Sequence, residues 1–154
     1  MYKDDVVVRR LQIADAPLAA DAIVRLKPTT ERHPLANREA AAAFLAGNGN
    51  ILIASLVDGK PVGYAIGYLL ERVDRGTPML LLYEIEVARE HRRQGIARSI
   101  IDALKRIANE AGAYKMWTLT DRANDAARAL YRAAGARESG ENLLVGWSQA
   151  DLEP

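Results

Sequence analysis

The chain has 154 residues and a formal net charge of +1, a length that suits one domain. With 49% hydrophobic and 27% charged residues it is neither a disordered chain nor a coiled coil, and it lacks the basic excess of a nucleic-acid-binding module. It has no cysteine and two histidines, which excludes disulfides, thiolate nucleophiles and cysteine zinc sites, so no metal is expected.

No apolar run approaches the ~20 residues of a membrane span. Met1-Tyr2-Lys3-Asp4-Asp5 is acidic where a signal peptide would be basic, so a cytoplasmic protein is expected. In chain order, a first strand is predicted from Val6 to Leu11. Asp15 is placed to cap a helix with Pro17 in its first turn, running to about Leu26. A loop from Lys27 to Ala36 leads to Asn37, which caps a helix from Arg38 to Ala46 stopped by Gly47. Strands from Ile51 to Val57 and from Val62 to Leu70 flank Asp58-Gly59-Lys60, a hairpin signal. A long strand is predicted from Met79 to Val87, then a turn, then a helix from Ile96 to Ala111. In that helix Ile96, Ile100, Leu104, Ile107, Ala108 and Ala111 share one face. Tyr114 to Thr120 reads as a strand, Asn124 as the cap of a helix from Asp125 to Ala134, and Leu143 to Trp147 as a last strand. The strand–helix–strand unit from Met79 to Thr120 implies a parallel pair, and the hairpin implies antiparallel neighbours. A mixed α/β sheet with helices on both faces is expected.

The turn after the long strand carries the most chemistry. Arg92-Arg93-Gln94-Gly95-Ile96-Ala97 is basic, contains a glycine and opens a helix. The first amides of a helix have no intrahelical acceptor and carry the positive end of its dipole, which makes an anion site. Gly95 lets the backbone approach a diphosphate without an intervening Cβ. Ala97 keeps the next approach point small, and Arg98 adds charge. The spacing matches neither the Walker loop nor the three-glycine dinucleotide fingerprint.

These residues carry a resemblance. Arg92-x-x-Gly95-x-Ala97 is similar to the [RQ]-x-x-G-x-[GA] signature of the GNAT acetyltransferases. Leu82-Tyr83-Glu84-Ile85-Glu86-Val87 resembles the strand before it, and Asn124 to Ala136 resembles a late N-x-x-A-x-x-L-Y-x-x-x-G-[FA] segment of the same fold. The likeness covers nearly the whole chain. From about residue 50 to 138 it is closest to the GNAT-type aminoglycoside 3-N-acetyltransferases, whereas the first fifty residues and the tail after Glu138 depart from that branch.

The resemblance implies a GNAT fold, a mostly antiparallel sheet with one splayed parallel pair. It implies acetyl-CoA as co-substrate and a primary amine as acceptor, and it also implies a homodimer. Acetyl transfer needs a proton acceptor for the ammonium, a donor to the carbonyl oxygen and a proton for the leaving thiolate. Simple alternation puts Leu80, Leu82, Glu84 and Glu86 on one face of the strand, and Leu81, Tyr83, Ile85 and Val87 on the other. The paired carboxylates are candidate bases, directly or through water, and the resemblance, which has an acidic residue at the position matching Glu84, implies Glu84 as the first choice and Glu86 as the second. The family bulge in this strand would alter those directions. The family likeness assigns the main chain around Ile85 and Val87 to the carbonyl oxygen and the acetyl-CoA arm, Tyr131 to the sulfur and Asn124 to the pantetheine arm. An aminoglycoside is a polycation, so its site needs negative charge; Asp121, Asp125, Glu138 and Glu141 are the candidates. Three functions are weighed: an aminoglycoside N-acetyltransferase conferring antibiotic resistance, a GNAT enzyme for another small amine or a protein N-terminus, and a non-catalytic acyl-CoA-binding regulator. The pairing of Glu84 with Tyr131 argues against the last, since a binding module needs neither.

Overall fold

The computed structural model describes residues 5–30, 37–140, 145 and 148–152. The elements are β1 (Val7–Arg10), α1 (Ala16–Leu26), α2 (Arg38–Leu45), β2 (Asn50–Val57), β3 (Lys60–Leu70), β4 (Met79–Val87), α3 (Ile96–Glu110), β5 (Met116–Trp117), α4 (Asp125–Ala133) and a short α5 (Gln149–Leu152). The strands form one sheet in the order β1-β2-β3-β4-β5. The first four are antiparallel neighbours, and β4 and β5 are the parallel pair. The β2–β3 hairpin turns on Asp58 and Gly59, with φ of 50° and 74°. Two positive φ values match the twist of the flanking strands.

The sheet separates two apolar layers. On one side Ile96, Ile100, Leu104 and Ala108 of α3 pack on Ile51, Ile53, Ala65, Leu80 and Leu82, joined by Leu130 and Tyr131 of α4. On the other side the small residues Ala19 and Ala22 let α1 lie close to Leu52, Ala54 and Tyr64, with Phe44 of α2 beside them. Of the predicted face of α3, Ile96, Ile100, Leu104 and Ala108 are buried, and Ile101 and Ala103 join them, whereas Ile107 and Ala111 are only partly buried. Among the described residues no helix is long and apolar enough to cross a membrane.

Two helix caps form as predicted: Asn37 accepts from the Ala40 amide at 2.9 Å and Asn124 from the Ala127 amide at 3.1 Å. Asn124→Ala should lower stability by about 1 kcal/mol, measurable as a fall in denaturation midpoint. Asp15 differs. A short turn from Ile13 to Asp15 precedes α1. The Asp15 carboxylate turns back to Arg9, at 2.9 and 3.0 Å, and to the Gln12 amide at 2.8 Å. An arginine fork outcompetes one backbone amide.

The predicted strand from Tyr114 to Thr120 shortens to Met116–Trp117. The parallel ladder stops at Leu81↔Trp117. One residue on, the Thr118 hydroxyl donates to the Leu82 carbonyl at 2.7 Å, doing with a side chain what an amide would do in a longer ladder. Beyond that point no described strand pairs with the outer edge of β4. The predicted last strand, Leu143 to Trp147, lies outside the described residues except for Val145, which belongs to no regular element.

Candidate active site

The outer edge of β4 has a definite polarity. Ala88 donates to the Val62 carbonyl at 2.8 Å, while Val87 pairs with Gly63 and Ile85 with Ala65. In an antiparallel ladder, hydrogen-bonded and non-bonded pairs alternate. The peptide groups of Ile85 and Val87 therefore point away from β3, into the gap left by β5. Their side chains pack on the α3 layer. The Val87 carbonyl accepts from Arg92 Nε at 2.9 Å, which fastens the turn after β4 to the edge of the gap.

The same turn delivers the start of α3. Gly95 has φ +83°, and apart from its chain neighbours no described residue comes within 4 Å of where a Cβ would stand. Ser99 is the residue that donates to the Gly95 carbonyl, at 3.0 Å. The amides of Ile96, Ala97 and Arg98 thus precede any intrahelical acceptor, and no side chain caps this end. Open space, uncovered amides and the helix dipole fit a diphosphate. The side chains of the turn are distributed unequally. Ile96 is buried and can contribute only its amide. Gln94 donates to the Glu90 carbonyl at 3.1 Å. Arg98 reaches Asp102 at 3.3 Å and the Ala133 carbonyl, tying α3 to the end of α4. Arg93 is exposed with φ +60° and has no hydrogen bond or ion pair with a described residue.

Across the gap, Tyr131 on α4 packs against the α3 layer. Burial pushes its phenol above the ordinary tyrosine value, with the Thr118 hydroxyl partly opposing. A raised value keeps the proton on oxygen through neutral and mildly alkaline pH. Tyr131→Phe should lower kcat about 10²-fold or more if this proton goes to sulfur, with acetyl-CoA affinity retained. The wild-type rate should also show no falling limb from this group below about pH 10. Stopped assays across pH check both.

The carboxylates stand on the other face of the sheet. Register shows why. Gly67 pairs with Leu82 and Ile66 with Glu84, so Tyr83 is an extra residue in β4, a bulge. Simple alternation therefore fails here. Leu80, Leu82, Ile85 and Val87 face α3, whereas Leu81, Tyr83, Glu84 and Glu86 face the α1–α2 side with Tyr64, Ile66 and Tyr68. Glu84 and Glu86 stay together, as expected, but they part from Leu80 and Leu82. Tyr83, expected to share a face with Ile85 and Val87, instead sets its ring edge-on to Tyr68, 5.7 Å between centroids, and Tyr68 stands likewise to Phe44 at 5.8 Å.

Glu84 is held by two residues that the sequence did not single out. Lys27 Nζ donates to Oε2 at 2.6 Å, and the fully buried Tyr64 donates its phenol to Oε1. The predicted acidic residues near α4 divide. Glu138 makes a two-pronged pair with Arg128 at 2.9 and 3.0 Å, and Arg128 holds its carboxyl below the usual range. Asp125 is 93% exposed, 3.7 Å from Arg128. Asp121 is exposed and accepts from the Asn124 amide through its carbonyl. Glu141 lies outside the described residues. Charge near α4 is thus largely offset by arginine, as that of Glu84 is by Lys27.

A helix start that no described side chain caps, a strand edge turned toward the gap, a phenol and two carboxylates on one face of β4 are groups that acyl transfer from a phosphate-bearing thioester to an amine would use. Residues 19–136 match the sequence profile of the Acetyltransferase (GNAT) family. The chain belongs to that family, and its reaction class is acetyl-CoA-dependent N-acetylation. No curated protein sequence matches it significantly. Among solved structures, it is similar to an aminoglycoside acetyltransferase, meta-AAC0020, from an uncultured soil metagenomic sample in complex with sisomicin. The TM-score is 0.81 at 22% identity, over 93% of this chain and 97% of that one. It is similar to the ribosomal-protein-alanine N-acetyltransferase of Brucella melitensis biovar Abortus 2308, with TM-score 0.74 at 25% identity over 92% and 99%. It is also similar to aminoglycoside N-acetyltransferase AAC(6')-Iy in complex with CoA, with TM-score 0.77 at 20% identity over 96% and 97%.

Proposed function

We propose that the chain transfers the acetyl group of acetyl-CoA to a primary amine of an aminoglycoside. The observation that carries this reading is the placement of Glu84 and Glu86 together on an aromatic face of β4, on the strand whose far edge opens toward the start of α3. Two carboxylates beside an exposed tyrosine attract a cationic acceptor. The likeness of residues 50–138 to aminoglycoside-modifying enzymes and the fold shared with the sisomicin-bound relative support it.

In this reading the amides of Ile96, Ala97 and Arg98, with Arg93, hold the diphosphate, and Asn124 lies along the pantetheine arm. Bound acetyl-CoA supplies the thioester carbon that the amine attacks. Glu84, directly or with Glu86 through water, takes the proton the ammonium must lose. The amide of Ile85 or Val87 donates to the carbonyl oxygen as charge develops there. Tyr131 gives its proton to sulfur as the carbon–sulfur bond breaks, and the proton held by the carboxylate returns to solvent. Asp121 and Asp125 line the approach as exposed carboxylates. The protein acts as a homodimer in the cytoplasm. The residue likeness implies the 3 position of the acceptor, whereas AAC(6')-Iy is named for the 6' position; product mapping decides between them.

The relative named for ribosomal-protein alanine favours a second reading, a protein N-terminus as acceptor. Thiol release with acetyl-CoA and a panel of gentamicin, kanamycin, spermidine and mixed peptides separates the two. Aminoglycosides should give the highest kcat/KM. A panel in which only peptides are turned over would replace the first reading by the second.

A further inference from the structure

Lys27 already holds the position that the proposed reaction asks of an acceptor amine. Where α1 ends, its Nζ lies 2.6 Å from Oε2 of Glu84, and Tyr64 donates to Oε1. A general base must stand within hydrogen-bond reach of the proton it removes, and an amine of the chain itself meets that condition here. The Lys27 and Glu84 side chains are 22% and 16% exposed, so the pair is partly withdrawn from bulk water. Lys60, Lys105 and Lys115 differ. All three are exposed, and none of them makes an ion pair with a described residue.

Glu84 is also next in the chain to Ile85, whose peptide group turns toward the gap where the proposed reading puts the thioester. A lysine amine sits on a flexible four-carbon stem, so Nζ can swing from the carboxylate toward that gap once it has lost a proton. An amine tethered beside a bound thioester reacts without a second encounter, which favours it over amines in solution. The balance of the step is that of acetylation of any ammonium. One Nζ proton passes to Oε2 along the hydrogen bond already formed, and later to solvent. The nitrogen lone pair forms the bond to the thioester carbon, and the carbon–sulfur bond breaks. Sulfur takes the Tyr131 proton, and a second Nζ proton restores the phenol through water. The products are an amide at Nζ, a thiol and one released proton.

We propose that Lys27 is a self-acetylation site: without acceptor, its amine takes the acetyl group of acetyl-CoA bound to the same chain. This rests on reading Glu84 as the base. The product amide is uncharged, so Glu84 loses this counter-ion. The test incubates the wild-type protein with acetyl-CoA alone, cleaves at arginine and follows peptide masses over time. Residues 26–32 then form one peptide with Lys27 as its lysine. That peptide should gain one acetyl group before the peptides of Lys60, Lys105 and Lys115 do, at a rate per chain independent of protein concentration. Chemical acetylation follows exposure and would give the opposite order. Glu84→Gln should slow the Lys27 reaction by about 10²-fold or more and leave Lys60 and Lys115 unchanged. Exposed lysines modified ahead of Lys27, a rate per chain that rises with protein concentration, or an unchanged Lys27 rate in Glu84→Gln overturns the proposal. Kanamycin acetylated in a parallel assay while Lys27 stays unmodified removes the proposal alone. Lys27 acetylated with no aminoglycoside product keeps the proposal and removes aminoglycosides as the acceptor.

Discussion

Replacing Glu84 by glutamine should lower kcat by about 10²–10⁴-fold, the range for loss of a general base, while acetyl-CoA affinity stays nearly unchanged. Glutamine has the size of glutamate, and its carbonyl oxygen can accept from Lys27 or Tyr64, the two donors that hold Glu84. What it lacks is the capacity to take a proton near neutral pH. In the proposed reading acetyl-CoA sits toward the outer edge of β4 and the start of α3, whereas Glu84 faces the opposite side of the sheet, so the two functions should separate. Steady-state kinetics against acceptor, with calorimetric titration of CoA, reads both. Turnover unchanged across pH would show that the ammonium proton leaves by another route, with Glu86 next in line.

The second large effect is expected at Gly95. Valine there meets two obstacles. The φ of +83° is costly for a residue with Cβ, about 1–2 kcal/mol, and more for a β-branched one. The space beyond, where no described residue other than the chain neighbours lies within 4 Å, is where the proposed site would bring the diphosphate to the amides. Each charge-assisted hydrogen bond lost weakens binding by ~1.5–3 kcal/mol, so CoA affinity should fall at least about 10²-fold if two amides lose contact. The melting midpoint should fall by several degrees, about 2–4 °C for each kcal/mol of backbone strain, with no further loss from packing. Gly95→Ala, smaller but bearing the same φ penalty, should fall between. Normal affinity in Gly95→Val would move the phosphate site elsewhere.

Most of the fold was legible because its signals are local. Asn37 and Asn124 cap within three residues, Asp58-Gly59 closes a two-residue turn, and the apolar spacing of α3 belongs to one helix. The turn before α3 was legible for the same reason, since strand, basic turn, glycine and helix are contiguous. The acceptor side was not. Period-two reading assumes one residue per ladder step, and the extra step at Tyr83 is set by pairing with Ile66 and Gly67 on another strand. The partners of Glu84 lie 57 and 20 residues away, and no spacing rule connects them. Lys27 read as the start of a loop and Tyr64 as a strand residue. A lysine where a helix ends and a tyrosine buried mid-strand are ordinary by composition. Only the register of β3 against β4 brings the phenol to the carboxylate. The length of β5 was likewise a tertiary matter, because the Thr118 hydroxyl ends the ladder where a β-rich sequence would continue it.

The proposed reaction is acetyl transfer to an aminoglycoside amine across the edge of β4. The most direct measurement incubates the protein with acetyl-CoA and kanamycin and follows product mass and thiol release together. One acetyl group gained by kanamycin per thiol released, and both lost in Glu84→Gln, is the expected result. Thiol release with unmodified kanamycin, or with product from a peptide alone, would contradict the aminoglycoside assignment.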